Sequence, residues 1–253
     1  MKKYSSITGT YILFAILILI CLNSCFTSYK SVTSEVSYGK VDKKLDTASA
    51  KIIDSLVNPY KTELDKIMNE VIGYSDGLSI SKPESTLGNW AADVMEESAK
   101  KLSGSDISFA ALNHGGLRIR EIPEGPVTVS KIYELMPFEN YITIIKADGN
   151  IIKQFLDRIA KYGGWPVSNS LSFRIDGDTA QDIMIDGIAF DLNSGYTIAI
   201  PDYVANGGDD CFFFDQVPKQ NTDHLIRNIL IEEVKSLTGK NEHLKSKIEG
   251  RIK

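Results

Sequence analysis

The period of the hydrophobic positions changes several times along the chain, and each change marks an element. From Leu45, apolar Ile52, Ile53, Leu56, Val57, Tyr60, Leu64, Ile67, Met68 and Val71 return every three or four positions. That spacing predicts an amphipathic helix, kinked or split at Pro59, whose ring removes a backbone donor, and closed by Gly73. A second helix enters at Pro83 and Ser85 and carries Leu87, Trp90, Ala91, Val94 and Met95 on one side. "DISFAALN" (106–113) then reads as a buried strand, and Gly115-Gly116 as a turn. "PVTVSKIYELMP" (126–137) holds a short helix or turn, and "NYITIIKAD" (140–148) alternates as a strand does. A helix over 151–162 follows the Asp148-Gly149 turn. After Gly163-Gly164, "SLSFRID", "DIMIDG" and "YTIAIPD" are strands, and a last helix covers Thr222 to Leu237. Helices and strands are mixed and several strands meet at Asp-Gly turns. The pattern predicts a single α/β domain over 45–253, with α+β-like mixed sheets rather than a regularly alternating doubly wound one.

The N-terminus departs from this pattern. Lys2 and Lys3 precede "YILFAILILICL" (11–22), an apolar run of 12 residues. A membrane span needs roughly 20, so the run is too short to cross comfortably, whereas it has the length of a secretory leader's core. It ends in "LNSC", Leu22 to Cys25, which resembles the lipobox of bacterial lipoproteins. The resemblance implies a signal peptide over 1–24, cleavage before Cys25, lipidation of the Cys25 thiol and a Ser/Thr-rich tether over 25–44. An uncleaved anchor with an incidental cysteine is the alternative. The expected location is exported and lipid-anchored to the cell envelope, on the periplasmic face or the cell surface.

Composition narrows the chemistry. Of 253 residues 43% are hydrophobic, enough for one substantial core. The three cysteines are Cys21, Cys25 and Cys211. Loss of the leader and lipidation leave Cys211 alone, so no intrachain disulfide is expected. With 28 Lys and Arg against 33 Asp and Glu, removing Lys2 and Lys3 leaves a net charge of −7. Such a body is a poor footprint for a nucleic-acid polymer.

Much catalytic machinery is missing. His114, His224 and His243 show no metal-ligand spacing, which argues against a catalytic zinc or a di-metal site. "DGDTAQD" (176–182) lacks the glycine and glutamate of a calcium loop and reads as a hairpin turn. "NHGG" (113–116) is like the oxyanion loop of lipases, but no G-x-S-x-G elbow accompanies it. No P-loop is present. The stretch "DYVANGGDDCFFF" (202–214) remains, with paired acids, glycines and aromatics. The lack of companion histidines argues against a metal there and leaves a hydroxyl-rich, flat ligand.

Four segments in order, "ESTLGNWAADVM" (84–95), "LNHGGLRIREIPEGPVT" (112–128), "LMPFENYITII" (135–145) and "YTIAIPDYVANGGDD" (196–210), resemble the C-terminal, substrate-binding domain of the periplasmic 5'-nucleotidase family. The terminal "EGRIK" resembles how such domains end, so the likeness covers about residues 45–253. It implies that family's layered fold. In the family an N-terminal metallophosphoesterase domain holds two metals and cleaves the phosphate, while the C-terminal domain grips the nucleoside. The motifs of the metal domain are absent from this sequence. The resemblance therefore implies a chain with no cofactor of its own, inactive alone, holding a nucleotide for a separately encoded partner that carries the divalent metals. A stand-alone, lipid-anchored nucleoside- or nucleotide-binding protein is the alternative, and a structural subunit without a small ligand is a third.

By this resemblance Phe138 and Tyr203 sandwich the base, a contact worth roughly 1–3 kcal/mol per stack. Asn140 and Gly163 meet base edges, Asp209 accepts from the ribose hydroxyls, and Arg118 holds the phosphate as a planar fork donor. Asp210 has no equivalent role and is expected to face solvent. One departure bears on the phosphate. Relatives carry further arginines ahead of the "ES" motif, where this chain reads "DGLSISKPES" (76–85), leaving Lys82 as a substitute and His114 as a neighbouring donor. The change implies weaker nucleotide binding, or a tilt toward nucleosides or other phosphate esters.

Overall fold

The computed structural model describes residues 48–253. The expected leader over 1–24 and the expected tether over 25–44, with Cys25, lie outside these residues. The chain divides into two units, 1–53 and 54–253. Of the first, only residues 48–53 are described, and they are helical.

The opening helix, α1, spans Ala48–Met68 without a break at Pro59. Pro59 therefore does not split the helix: one missing donor is a local loss, and the turns on either side continue across it. Leu56, Val57, Tyr60, Leu64 and Ile67 are all exposed, as are the polar residues between them, so the apolar stripe that predicted the helix is uncovered among the described residues. Gly73 does not close it. The residue lies inside strand β1 (Val71–Ser75), where an added Cβ would sit 2.6 Å from Val234 Cγ1. Its service is close approach to the last helix.

A four-stranded mixed sheet organises the rest. The strands β3 (Phe109–Ala110), β6 (Tyr141–Asp148), β10 (Gly195–Pro201) and β11 (Lys219–Leu225) lie in the order β11-β6-β10-β3. β10 pairs antiparallel with β6 and parallel with β3. Side-chain alternation then divides the interior in two. Ala110, Ile142, Ile144 and Ala199 face one core with α2 (Thr86–Ser103) and α6 (Ile226–Gly239). Phe109, Ile145, Ala147, Ile198 and Ile200 face the other, with α4 (Gly149–Lys161) and the hairpin of β7 (Leu171–Asp176) and β8 (Thr179–Ile185). The short β9 (Ile188–Ala189) pairs with β8 at the outer edge of that hairpin. The predicted α/β class with mixed sheets is the observed one.

Element edges differ from the sequence pattern where backbone pairing overrides periodicity. Residues 222–225 belong to β11, paired with β6, so the last helix starts at Ile226 rather than Thr222. The 126–137 stretch splits into β5 (Gly125–Thr128) and the short helix α3 (Val129–Leu135), capped by the Thr128 hydroxyl.

The C-terminal segment is latched by charge. Glu84, just before α2, is buried and accepts from the backbone N–H groups of Glu249 (2.8 Å), Gly250 (2.8 Å) and Arg251 (3.0 Å). Asn89 adds a fourth bond at 2.7 Å. Arg251 is buried in turn, paired in fork fashion with Asp93 at 2.7 and 2.8 Å, and donates to the Val167 carbonyl at 2.8 Å. The segment runs on beside β7, Phe173 and Lys253 bonding through their backbones at 3.1 Å. Replacing Glu84 by alanine strands several buried donors and should lower unfolding free energy by about 3 kcal/mol. A urea midpoint unchanged from the parent protein would contradict this latch.

Candidate functional site

The mixed pairing of the sheet gathers three loops at one end. β3 and β10 run parallel, so the segments after them, 111–118 and 202–210, leave from the same edge. The second of these opens with the single-turn helix α5 (Asp202–Ala205). β6 runs the other way, so the segment before it, 136–140, enters at that edge too. Together the loops line a cavity of about 320 Å³ with Asn113, Gly115, Gly116, Arg118, Phe138, Asn140, Tyr203 and Asp209.

Cross-bonds hold the three loops to one another. Asp202 Oδ1 accepts from the backbone N–H of Tyr141 (3.2 Å) and of Tyr203 (2.8 Å), tying the 136–140 segment to the 202–210 segment. The Asn113 side-chain amide donates to Asp209 Oδ2 at 2.7 Å, tying 111–118 to 202–210. Arg118 bonds through its backbone N–H to the Leu135 carbonyl, and its guanidinium lies 5.5 Å from the Phe138 ring centre, tying 111–118 to 136–140.

Phe138 and Tyr203 are 45% and 47% exposed, so neither is a core residue and both rings offer surface to the cavity. Each is held from behind. The guanidinium of Arg227, buried in the first turn of α6, donates to the carbonyls of Pro137 (3.2 Å) and Phe138 (3.3 Å). It also lies 4.2 Å from the Tyr133 ring centre, which fixes the turn presenting Phe138. Tyr203 packs onto Gly208 so closely that an added Cβ would stand 2.5 Å from its ring, so only glycine fits. Asp209 follows with φ 51° and ψ 41°, left-handed, its carboxylate between Asn113 and the Tyr203 hydroxyl at 3.3 Å. The site is acceptor-rich at Asp209 and donor-rich at Arg118.

Arg118 also lines a second cavity, of about 340 Å³, with Lys82, His114, Arg120 and several apolar or hydroxyl neighbours. No carboxylate is among its lining residues. Backbone pairing makes this cluster: β2 (Leu78–Ser79) pairs with β4 (Glu121–Ile122), and Ile80 N–H donates to the Arg120 carbonyl at 2.8 Å. Lys82 is held in place by the Tyr162 carbonyl. Burial, then the Lys82 ammonium, pull the His114 pKa below the ordinary histidine value and leave the imidazole neutral near pH 7.

Five of the six residues singled out from the sequence thus line one cavity. Gly163 is not among the lining residues. It sits in a left-handed turn (φ 74°), with the Lys82 side chain 3.7 Å from where its Cβ would be. Asp210 does more than face solvent: Arg158 and the Tyr162 hydroxyl both contact it. Cys211 is buried and unpaired, and burial pushes its thiol up to about 12. Asn113 and Arg227 are site residues beyond the six that the motifs single out. Asn113 stood in the "NHGG" loop and was legible there. Arg227 showed only as a charge inside an apolar helix.

Among the described residues no group of histidine, cysteine, aspartate and glutamate could hold a metal ion, and no helix is long and apolar enough to cross a membrane. The profile of the 5'-nucleotidase C-terminal domain matches residues 69–217, a span that includes every one of the six positions. The chain belongs to that family. Curated proteins similar to the chain include two that act on nucleotides by name. The trifunctional nucleotide phosphoesterase protein YfkN of Bacillus subtilis is 27% identical over 219 residues, 78% of this chain and 15% of its own. The NAD 5'-nucleotidase of Haemophilus influenzae is 26% identical over 59% of this chain and 24% of its own. Among solved structures, the 5'-nucleotidase precursor of Thermus thermophilus shares the fold with a TM-score of 0.67 at 23% identity, covering 80% of this chain and 43% of that one. The chain therefore spans less than half the length of each of these three proteins.

Because folding disfavours the charged imidazole, the His114 contribution to stability is full above the ordinary histidine pKa and is lost as pH falls below it. An NMR titration should place His114 below the usual range, and Lys82→Met should move it part of the way back up. A His114 midpoint at the ordinary value in the parent protein would contradict the partly buried, Lys82-flanked setting.

Proposed function

We propose that this chain is the nucleoside-gripping part of a 5'-nucleotidase, holding base and ribose while a separately encoded metallophosphoesterase supplies the metals and cleaves the phosphate ester. The observation that carries the reading is the pair of half-exposed rings, Phe138 and Tyr203, on one cavity with a carboxylate and an arginine. A base is a flat, polarisable face, and two rings can hold it with little regard to its identity. The Asn140 amide, which lines the same cavity, would meet its edge. Asp209 accepts from a cis-diol, and with Asn113 on one oxygen and Tyr203 near the other its orientation is set in advance. Gly163 enters this reading at the rim, where the ligand would pass the Lys82 stem. The cation cluster of Lys82, Arg118 and Arg120 supports a phosphate at the far end, in place of arginines that relatives carry ahead of the "ES" motif. The names of the relatives, a nucleotide phosphoesterase and an NAD 5'-nucleotidase among them, point the same way.

The leader belongs to this reading too. Lys2, Lys3, the apolar run 11–22 and "LNSC" support export and lipidation at Cys25, which would hold the cleft beside the envelope where an exported partner works. Changing Cys25 to alanine should move the protein from the membrane fraction to the soluble one, and continued membrane association would contradict the lipid anchor.

The binding claim is tested by calorimetry. Adenosine should bind the parent chain, and the Phe138→Ala, Tyr203→Ala double variant should lose at least about thirtyfold in affinity, from two stacks of roughly 1–3 kcal/mol each. Arg118→Met should weaken AMP about tenfold more than it weakens adenosine, which keeps its base and ribose contacts but loses the guanidinium beside Phe138. Purified alone, the chain should release no phosphate from AMP; adding the exported metallophosphoesterase should start the reaction. Binding without any such partner activity would favour a stand-alone binding protein. Absence of adenosine binding would overturn both.

A further inference from the structure

Two consecutive aspartates at the tip of the 202–210 loop take the left-handed conformation: Asp209 at φ 51° and Asp210 at φ 61°. Side chains with a Cβ adopt it at a cost, which glycine does not bear. A surrounding structure must hold them there. For Asp209 the holders are Asn113 and Tyr203, inside the cavity. For Asp210 they come from a different element, outside it. Arg158, on the last turn of α4, donates to Asp210 Oδ2 at 3.1 Å, and the Tyr162 hydroxyl approaches the same oxygen at 3.4 Å. The Arg158 side chain is largely buried and Asp210 half exposed. Arg158 is therefore the fixed partner, since α4 packs by Phe155 and Leu156 into the core.

We infer that Arg158 is a positioning residue: by pinning Asp210 it sustains the left-handed turn that delivers the Asp209 carboxylate into the cavity. Asp210 is not among the residues that line the cavity, yet it fixes the backbone one bond away from the group that does. Tyr162 adds a weaker second hold from the residue after α4. The clamp couples the outer helix to the specificity of the site, namely its preference for a ligand that donates two hydroxyls. This consequence rests on the nucleoside reading, whereas the geometric claim about Asp209 does not.

The experiment separates the two. The Asn113 side-chain amide, bonded to Asp209 Oδ2 at 2.7 Å, is a probe of the Asp209 position that needs no ligand. Its hydrogen exchange, followed by NMR in the free protein, should quicken by about fivefold in Arg158→Met, the scale of one partly exposed ion pair. Asp210→Ala should do the same. Asp210→Gly, which removes the same carboxylate but accepts the left-handed turn freely, should stay close to the parent. In parallel, the ratio of adenosine to 2',3'-dideoxyadenosine affinity should fall about fivefold in Arg158→Met and Asp210→Ala and hold in Asp210→Gly. An unchanged amide in Arg158→Met, or equal effects of alanine and glycine at 210, overturns the inference. So does an equal loss for both ligands, which marks general loosening. If the parent protein binds no adenosine, the nucleoside reading fails and the amide alone decides the clamp.

Discussion

The site depends on the pairing of β10 with an antiparallel neighbour on one side and a parallel neighbour on the other. That arrangement sends two loops out of the sheet and one into it at a single edge. An all-antiparallel order would send alternate loops to opposite ends, and Asn113, Phe138 and Tyr203 could not share a cavity. The pairing is enforced by burial on both faces. A slip of one residue in β6 would exchange Ile144 with Ile145, sending each to the opposite core. Hydrophobic packing therefore fixes the register, and the register fixes the site.

On that frame the polar bonds do a second job. Asp202, Asn113 and Arg118 each bridge two of the three loops, so no loop is positioned alone. Two of the six left-handed non-glycine residues among the described ones, Asp209 and Asp210, stand side by side where the ligand's hydroxyls would be read, and charged or polar partners contact both. The cations gather on the other side of Arg118, where pairing of β2 with β4 brings Lys82 to Arg120. A ligand that is flat at one end, rich in hydroxyls in the middle and anionic at the other suits this distribution. Nucleotides are such ligands.

Much of this was legible in the sequence, and the rest was hidden for physical reasons. The elements with strong periodicity, α2, β6, α4 and β10, stand close to where their patterns put them. Short strands such as β2 and β4 have too few residues to show a period, so the pairing that builds the cationic cluster left no trace. Strand β11 was obscured by the apolar run of the helix that follows it. The stripe on α1 was visible, but a pattern cannot say what covers it, and among the described residues it is exposed with the rest of the helix. Phe138, Tyr203 and Asp209 were found through motif resemblance, not periodicity. Arg227 and Arg158 act from helices far along the chain, and only the tertiary structure brings them to their loops. Gly163 matched a family position yet does not line the cavity; its left-handed turn lies near the Lys82 side chain instead.

The central claim is that three loops converge into one cleft for a nucleoside. Titrating the isotope-labelled chain with adenosine and mapping amide shifts tests it most directly. The account predicts saturable shifts confined to 113–118, 138–141 and 203–210, with a smaller response near Gly163. Shifts centred elsewhere, such as the 245–251 segment beside Asp93, or no shifts at saturating adenosine, would contradict it.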